Sequence, residues 1–149
     1  MTAVEAQKAL VLSDGIKLVE GVSLPGSAKG LAFCANGKKA IAINTAAIES
    51  QREEAVVIAH EREHIELSAL YSINATPYEI AGAERRAERA AIRSLIPIAW
   101  LMKGIFDEKK TPWDLAEEIG VTDKAMAEAI EMYSDSEEWV RKEALEYAE

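Results

Sequence analysis

The chain holds two histidines, and they stand four residues apart with a glutamate directly after the first, in His60-Glu61-Arg62-Glu63-His64. On an α-helix, residues i and i+4 lie on one face a turn apart, so two imidazole nitrogens can converge on one metal ion with Glu61 beside them. This is the H-E-x-x-H pattern of zinc hydrolases, in which the glutamate serves as general base toward a metal-activated water. The competing reading is an acidic, solvated helix that carries two surface histidines among its glutamates. A catalytic zinc takes three protein ligands and leaves one position for water. If Glu61 is the base, a third donor must come from elsewhere in the chain.

The next helical segment supplies two candidates, Glu84 and Glu88, which share a face. Small residues at Ala83 and Ala87 permit a close approach between the two helices. Glu84 follows His64 by 20 residues, a connection long enough for a second helix to return across the first. Spacing favours Glu84 and leaves Glu88 open, and either glutamate could instead serve an ion pair along its own helix, such as Glu88 with Arg85.

Positioning these residues requires a helix through His60 and His64, and the flanking pattern predicts one. Apolar positions Val56, Val57, Ala59, Ile65, Leu67 and Leu70 fit one long helix from about Ala47 onward, with Ser50 through Glu54 suited to its first turn. Thr76-Pro77 with Glu79 reads as an N-cap, a first-turn proline and a capping box, opening a helix that runs through Ala91 to about Leu95. Pro97 starts or kinks a third helix ending near Gly104. Thr111-Pro112 repeats the cap signature before Trp113 to Ile119, and Gly120 stops that helix. Thr122 to Tyr133 and Ser136 to Tyr147 form a last helical pair.

The first third reads differently. Val4 to Leu12 has helical spacing, but Ile16 to Glu20 alternates, and Lys29 to Ala35 and Lys39 to Asn44 are short apolar segments joined by the hairpin signal Asn36-Gly37. The expected architecture is α+β: a small antiparallel sheet, a histidine helix, a glutamate helix and a C-terminal helical lobe. The Asp107-Glu108-Lys109-Lys110 charge run places a soft boundary between residues 1–107 and 108–149, with the second part packed on the first.

Composition narrows the function. The 149 residues are 49% hydrophobic, enough for a core, and the formal charge of −9 repels a phosphate backbone, so direct nucleic-acid binding is disfavoured. Asp114 to Ala125 has the look of a helix-turn-helix, with Gly120 in the turn and Val121 as its plug. Yet from Pro112 to Tyr133 the acids Asp114, Glu117, Glu118, Asp123, Glu128 and Glu131 stand against one base, Lys124, so packing or protein recognition is the expectation. The lone Cys34 fits a reducing compartment, and the N-terminus has no basic region followed by an apolar run, so a cytoplasmic location is expected. The apolar stretch from Leu95 to Phe106 is too short, and too broken by Pro97, Lys103 and Gly104, to span a bilayer.

The ordering of Leu24-Pro25, Lys29-Gly30-Leu31, Ile41-Ala42-Ile43-Asn44, the His60 to His64 motif, Glu84 through Ile92 and Leu95-Ile96-Pro97 resembles the ImmA/IrrE family of metallo-endopeptidases, from about Leu24 to Tyr133. The resemblance implies a zincin-like fold with Zn2+ held by His60, His64 and Glu84, and Glu61 as the general base. It also implies a protein substrate, a helix-turn-helix transcriptional repressor that such enzymes of phages and mobile elements cleave or otherwise inactivate. Two positions depart from the family's usual pattern: Glu63 stands where glycine is common, and Glu88 where aspartate or asparagine is. Helical geometry aims Glu63 away from the metal, whereas Glu88 could alter hydrogen bonding at the site or compete as a ligand. A rival function is a non-catalytic zinc-bound module that holds a repressor or antitoxin without cutting it.

Several other features carry weaker expectations. Tyr71 or Tyr78 could help stabilise an oxyanion, though aromatics there more often belong to a core. The strand Ala40 to Asn44 could either offer an open edge to a peptide or lie inside the sheet. Arg85, Arg89 and Arg93 form a helical stripe expected to pair with surplus glutamates. Trp100, Trp113 and Trp139 are expected at core or lobe contacts, and Cys34 is expected to be buried.

Overall fold

The computed structural model describes residues 1–67 and 74–148. Its architecture is α+β. Helix α1 (Ala3–Ser13) leads into strand β1 (Lys17–Glu20), and β2 (Gly30–Ala35) and β3 (Lys38–Ile43) form a hairpin. The turn is Asn36-Gly37, both with positive φ (52° and 76°), as a two-residue hairpin loop that follows the strands' twist requires. The sheet is mixed, in the order β1-β3-β2, with β1 parallel and β2 antiparallel to β3.

That order corrects the expectation of an antiparallel sheet and settles the place of β3, which is central. The physical reason is in its composition: Ala40, Ile41, Ala42 and Ile43 are all buried, and an unbroken apolar run suits a strand flanked on both sides. The edges belong to β1 and β2, and among the described residues no strand pairs with the far side of β2. Asn44 N–H donates to the Lys29 carbonyl at 2.9 Å, so the alternation of an antiparallel pair turns the backbone groups of Gly30, Ala32 and Cys34 outward, away from β3. Cys34 is exposed rather than buried, because β2 has a neighbour on one side only and Ala32 is its sole buried residue.

Helix α2 (Gln51–Glu66) is capped by Ser50, whose side chain accepts from Glu53 N–H. Leu70, which was expected to extend it, lies outside the described residues. The helix is the wedge of the molecule. Ala55, Ile58 and Ile65 join Val4, Val11, Ile41 and Ile43 in a core beneath the sheet, while Ala59 faces a second core built by the helices that follow.

Helix α3 (Pro77–Leu95) begins at Thr76 with both halves of the capping box, and lays Ala83, Ala87 and Ala91 into the interior at successive turns. Without larger side chains in that stripe, α3 packs closely on α2. Then come α4 (Ile98–Met102), a π-helical turn at Lys103–Asp107, α5 (Pro112–Ile119), α6 (Asp123–Tyr133) and α7 (Glu137–Ala148). Gly120 ends α5 at φ 88° and Val121 is fully buried behind it.

The second core is continuous across the charge run at residues 107–110, joining Ala91, Ile92 and Leu95 to Leu115, Met126 and Trp139. Tyr133 ties the layers together by donating its hydroxyl to the Ile96 carbonyl at 2.7 Å. Of the other tryptophans, Trp100 packs at this core's margin and Trp113 is largely solvent-exposed, contrary to expectation. Among the described residues, no helix is long and apolar enough to cross a membrane.

Candidate metal centre

The helical period of α2 puts His60 and His64 on one face, with ring centroids 4.8 Å apart and Nε2 atoms 3.1 Å apart. Helix α3 delivers the carboxylate. Glu84 Oε2 lies 2.8 Å from His60 Nε2, and its Oε1 lies 3.1 Å from His64 Nε2. Bonds of about 2.0–2.2 Å in a tetrahedron separate neighbouring donors by roughly 3.3 Å. The three side chains therefore already stand close to the spacing that zinc demands, and two imidazoles with one carboxylate are a donor set suited to a catalytic zinc. His64 is buried, while the Glu84 side chain remains 41% exposed, so the cluster opens toward solvent on the α3 side. Glu88, the other candidate, is not in the cluster. It sits one turn further along α3, facing α6.

Glu61 lies between the histidines and the sheet edge. Burial pushes its carboxyl above the usual glutamate value; His60 and His64 draw it down, Glu84 pushes it up, and the Ala32 backbone N–H draws it down by donating to it. That N–H is one of the outward-facing groups of β2, so the edge strand meets the Glu61 carboxyl directly. The approach is tight. A Cβ at Gly30 would fall 2.8 Å from Val57 Cγ1 and 3.0 Å from Glu61 Cγ, so the strand comes this close to the helix because glycine has no side chain there. A cleft of about 260 Å³ runs between Gly30, Leu31 and Ala32 on one side and Glu61, His64 and Glu84 on the other.

Glu63 points into the interior away from the cluster. It is buried beside Arg62, whose guanidinium bonds it at 3.0 Å and reaches Asp14 at 2.7 Å, and its carboxyl is pushed up chiefly by burial.

Tyr71 lies outside the described residues, and Tyr78 is 88% exposed on the first turn of α3. Tyr78 lines a groove of about 400 Å³ with Gly82, Arg85 and Arg89, separate from the cleft beside Glu61. Arg85, Arg89 and Arg93 were expected to pair with glutamates, but they form no ion pair among the described residues: the acids near them on α3 turn toward α2 and α6 instead.

Sequence reasoning missed three participants. Gly30 had a usable signal, since an isolated glycine in a strand marks close backbone approach. The Ala32 N–H depends on which strand forms the sheet edge, and Glu128, which meets Glu88 from α6, depends on how two distant helices pack. Comparison with known proteins finds no match to a family model, to a curated protein or to a solved structure.

Proposed function

We propose that the chain is a zinc-dependent endopeptidase of the ImmA/IrrE type, acting on a regulatory protein of the helix-turn-helix repressor class. The observation that carries this reading is the convergence of His60, His64 and Glu84 from two helices, with Glu61 held beside them by an edge strand. His60, His64 and Glu84 would hold the ion. Bound zinc supplies Lewis acidity, which polarises a scissile carbonyl and makes water a competent nucleophile near neutral pH.

The remaining work falls to the chain. Glu61 takes the proton of the attacking water and later passes it to the leaving amine. Partial burial raises its basicity toward what such a transfer needs. The Ala32 N–H on the strand edge favours the ionised form of Glu61, the form that accepts a proton. The outward backbone groups of Gly30 and Cys34 can pair with an extended peptide, laying a scissile bond along the cleft. The buried face of His64 and the apolar flank of Val57 keep bulk water from one side.

Elemental analysis of the purified protein tests the ligand set. One zinc per chain is expected, lost in His64→Ala and in Glu84→Ala. Glu61→Gln should keep the zinc and lower peptide-library cleavage by about 10²–10⁴-fold. Zinc that is indifferent to Glu84 overturns the site, and a zinc-loaded wild type that cuts nothing while binding its repressor establishes the non-catalytic module instead.

A further inference from the structure

A second cavity, about 430 Å³, shares Gly30 and Glu61 with the β2 cleft and has His60 in its wall. Its lining is mostly apolar, with Val56 and Val57 from α2, Ile92 and Leu95 from α3, and Ala125 from α6. Besides Glu61, two carboxyl groups interrupt that lining, Glu88 from α3 and Glu128 from α6, and they stand close enough for Glu88 to push the Glu128 carboxyl up. Glu128 is pushed up to about 7, first by burial and then by Glu88, with Glu131 adding to the effect and Lys124 opposing it.

The basic groups nearby do not neutralise the pair by contact. Lys124 faces the cavity from the turn before Glu128 but forms no ion pair among the described residues, and Lys29, at another part of the lining, is engaged by Glu53 at 3.0 Å. Two carboxylates that line one cavity side by side are relieved either by sharing a proton or by a cation placed between them. An apolar channel that leads to such a pair has the complementarity of one kind of side chain, with a long aliphatic stem and a positive head.

We propose that this cavity is a specificity pocket that takes a lysine or arginine side chain flanking the scissile bond, its stem on Val56, Ile92 and Leu95 and its head between Glu88 and Glu128. The assignment rests on reading the neighbouring site as a peptidase, whose Glu61 and His60 form one wall of the pocket. It gives Glu88 a role as a selector of substrate, one turn beyond the ligand Glu84.

The probe is arginine amide, with citrulline amide as its neutral counterpart, titrated into the full chain and followed by backbone amide shifts. Arginine amide should shift Ile92 and Ala125 saturably and bind about tenfold more tightly than citrulline amide, the difference of one charge-assisted hydrogen bond. Glu88→Gln and Glu128→Gln should each reduce that preference, and the double variant should abolish it while resonances of α1 and α5 stay in place as evidence of folding. Equal binding of the two amides, or a preference that survives in the double variant, overturns the pocket. A peptide-library digest by the zinc-loaded protein separates the two readings. Cleavage beside basic residues that Glu128→Gln redirects supports both. Cleavage with no basic preference overturns the pocket and leaves the peptidase, and amide discrimination without any cleavage keeps the basic-side-chain site and overturns the peptidase.

Discussion

Replacing Gly30 with alanine tests the contact on which the proposed base depends. The added methyl would meet Val57 Cγ1 at 2.8 Å and Glu61 Cγ at 3.0 Å, where ordinary contact begins at 3.4 Å. Something must move. Val57 is part of α2, fixed from behind by Ala55 and Ile58 in the core, so the shift falls on β2 and on the Glu61 side chain. Overpacking of this kind costs about 1–3 kcal/mol, measurable as a lower urea midpoint at unchanged slope. Retreat of β2 also withdraws the Ala32 N–H from Glu61, and misplacement of a catalytic group by a fraction of an ångström should lower kcat about tenfold or more. The atoms nearest the new methyl belong to Val57 and Glu61, not to His60, His64 or Glu84, so zinc content should hold. Stability within about 0.5 kcal/mol of wild type together with an unchanged kcat would refute the reasoning, and loss of zinc in step with activity would show that the strand supports the ligands, not the base.

Other consequences can be measured directly. Glu128 is held up at about 7 against an ordinary value of 4.5, so the folded chain binds a proton there that the unfolded chain releases. Its stabilising contribution is complete below 4.5 and lost as the pH rises through about 7, and Glu128→Gln should flatten the urea midpoint between those values. Tyr133→Phe removes the donor to the Ile96 carbonyl inside the core and should cost about 1–3 kcal/mol in chemical denaturation, leaving zinc content unchanged. Gly104→Ala would drive a methyl to 2.5 Å from Leu115 Cδ2; thermal unfolding should report a loss of about 1–3 kcal/mol, and an unaltered Tm would sink that contact.

Local chemistry was the legible part of this fold. The caps at Thr76, Thr111, Thr122 and Ser136 each accept the backbone hydrogen bond that their residue types imply, because capping is settled within four residues. The Asn36-Gly37 turn is legible for the same reason. Strand order is not, since alternation identifies a strand without naming its partner, although the unbroken run Ala40 to Ile43 carried the hint that β3 is central. At the site, helix periodicity sufficed for the two histidines. The choice between Glu84 and Glu88 turns on how α3 crosses α2, a matter of 1.5 Å of rise per residue that tertiary packing decides. Glu128 was beyond reach, because nothing local to α6 marks the residue that meets α3.

The unpaired edge of β2 has a cost outside any reaction. Leu31 and Phe33 stand 48% and 43% exposed on the face of that strand away from the helices, and the backbone groups of Gly30 and Cys34 face outward. Such an edge is a template on which a second copy can add its own β2. Only six residues long, the strand is flanked by Lys29 and by Lys38 and Lys39 across the hairpin. Two copies brought edge to edge must bring these positive charges together, a repulsion that salt weakens. Colloidal behaviour at high ionic strength is therefore set by the same strand edge whose Ala32 N–H faces Glu61.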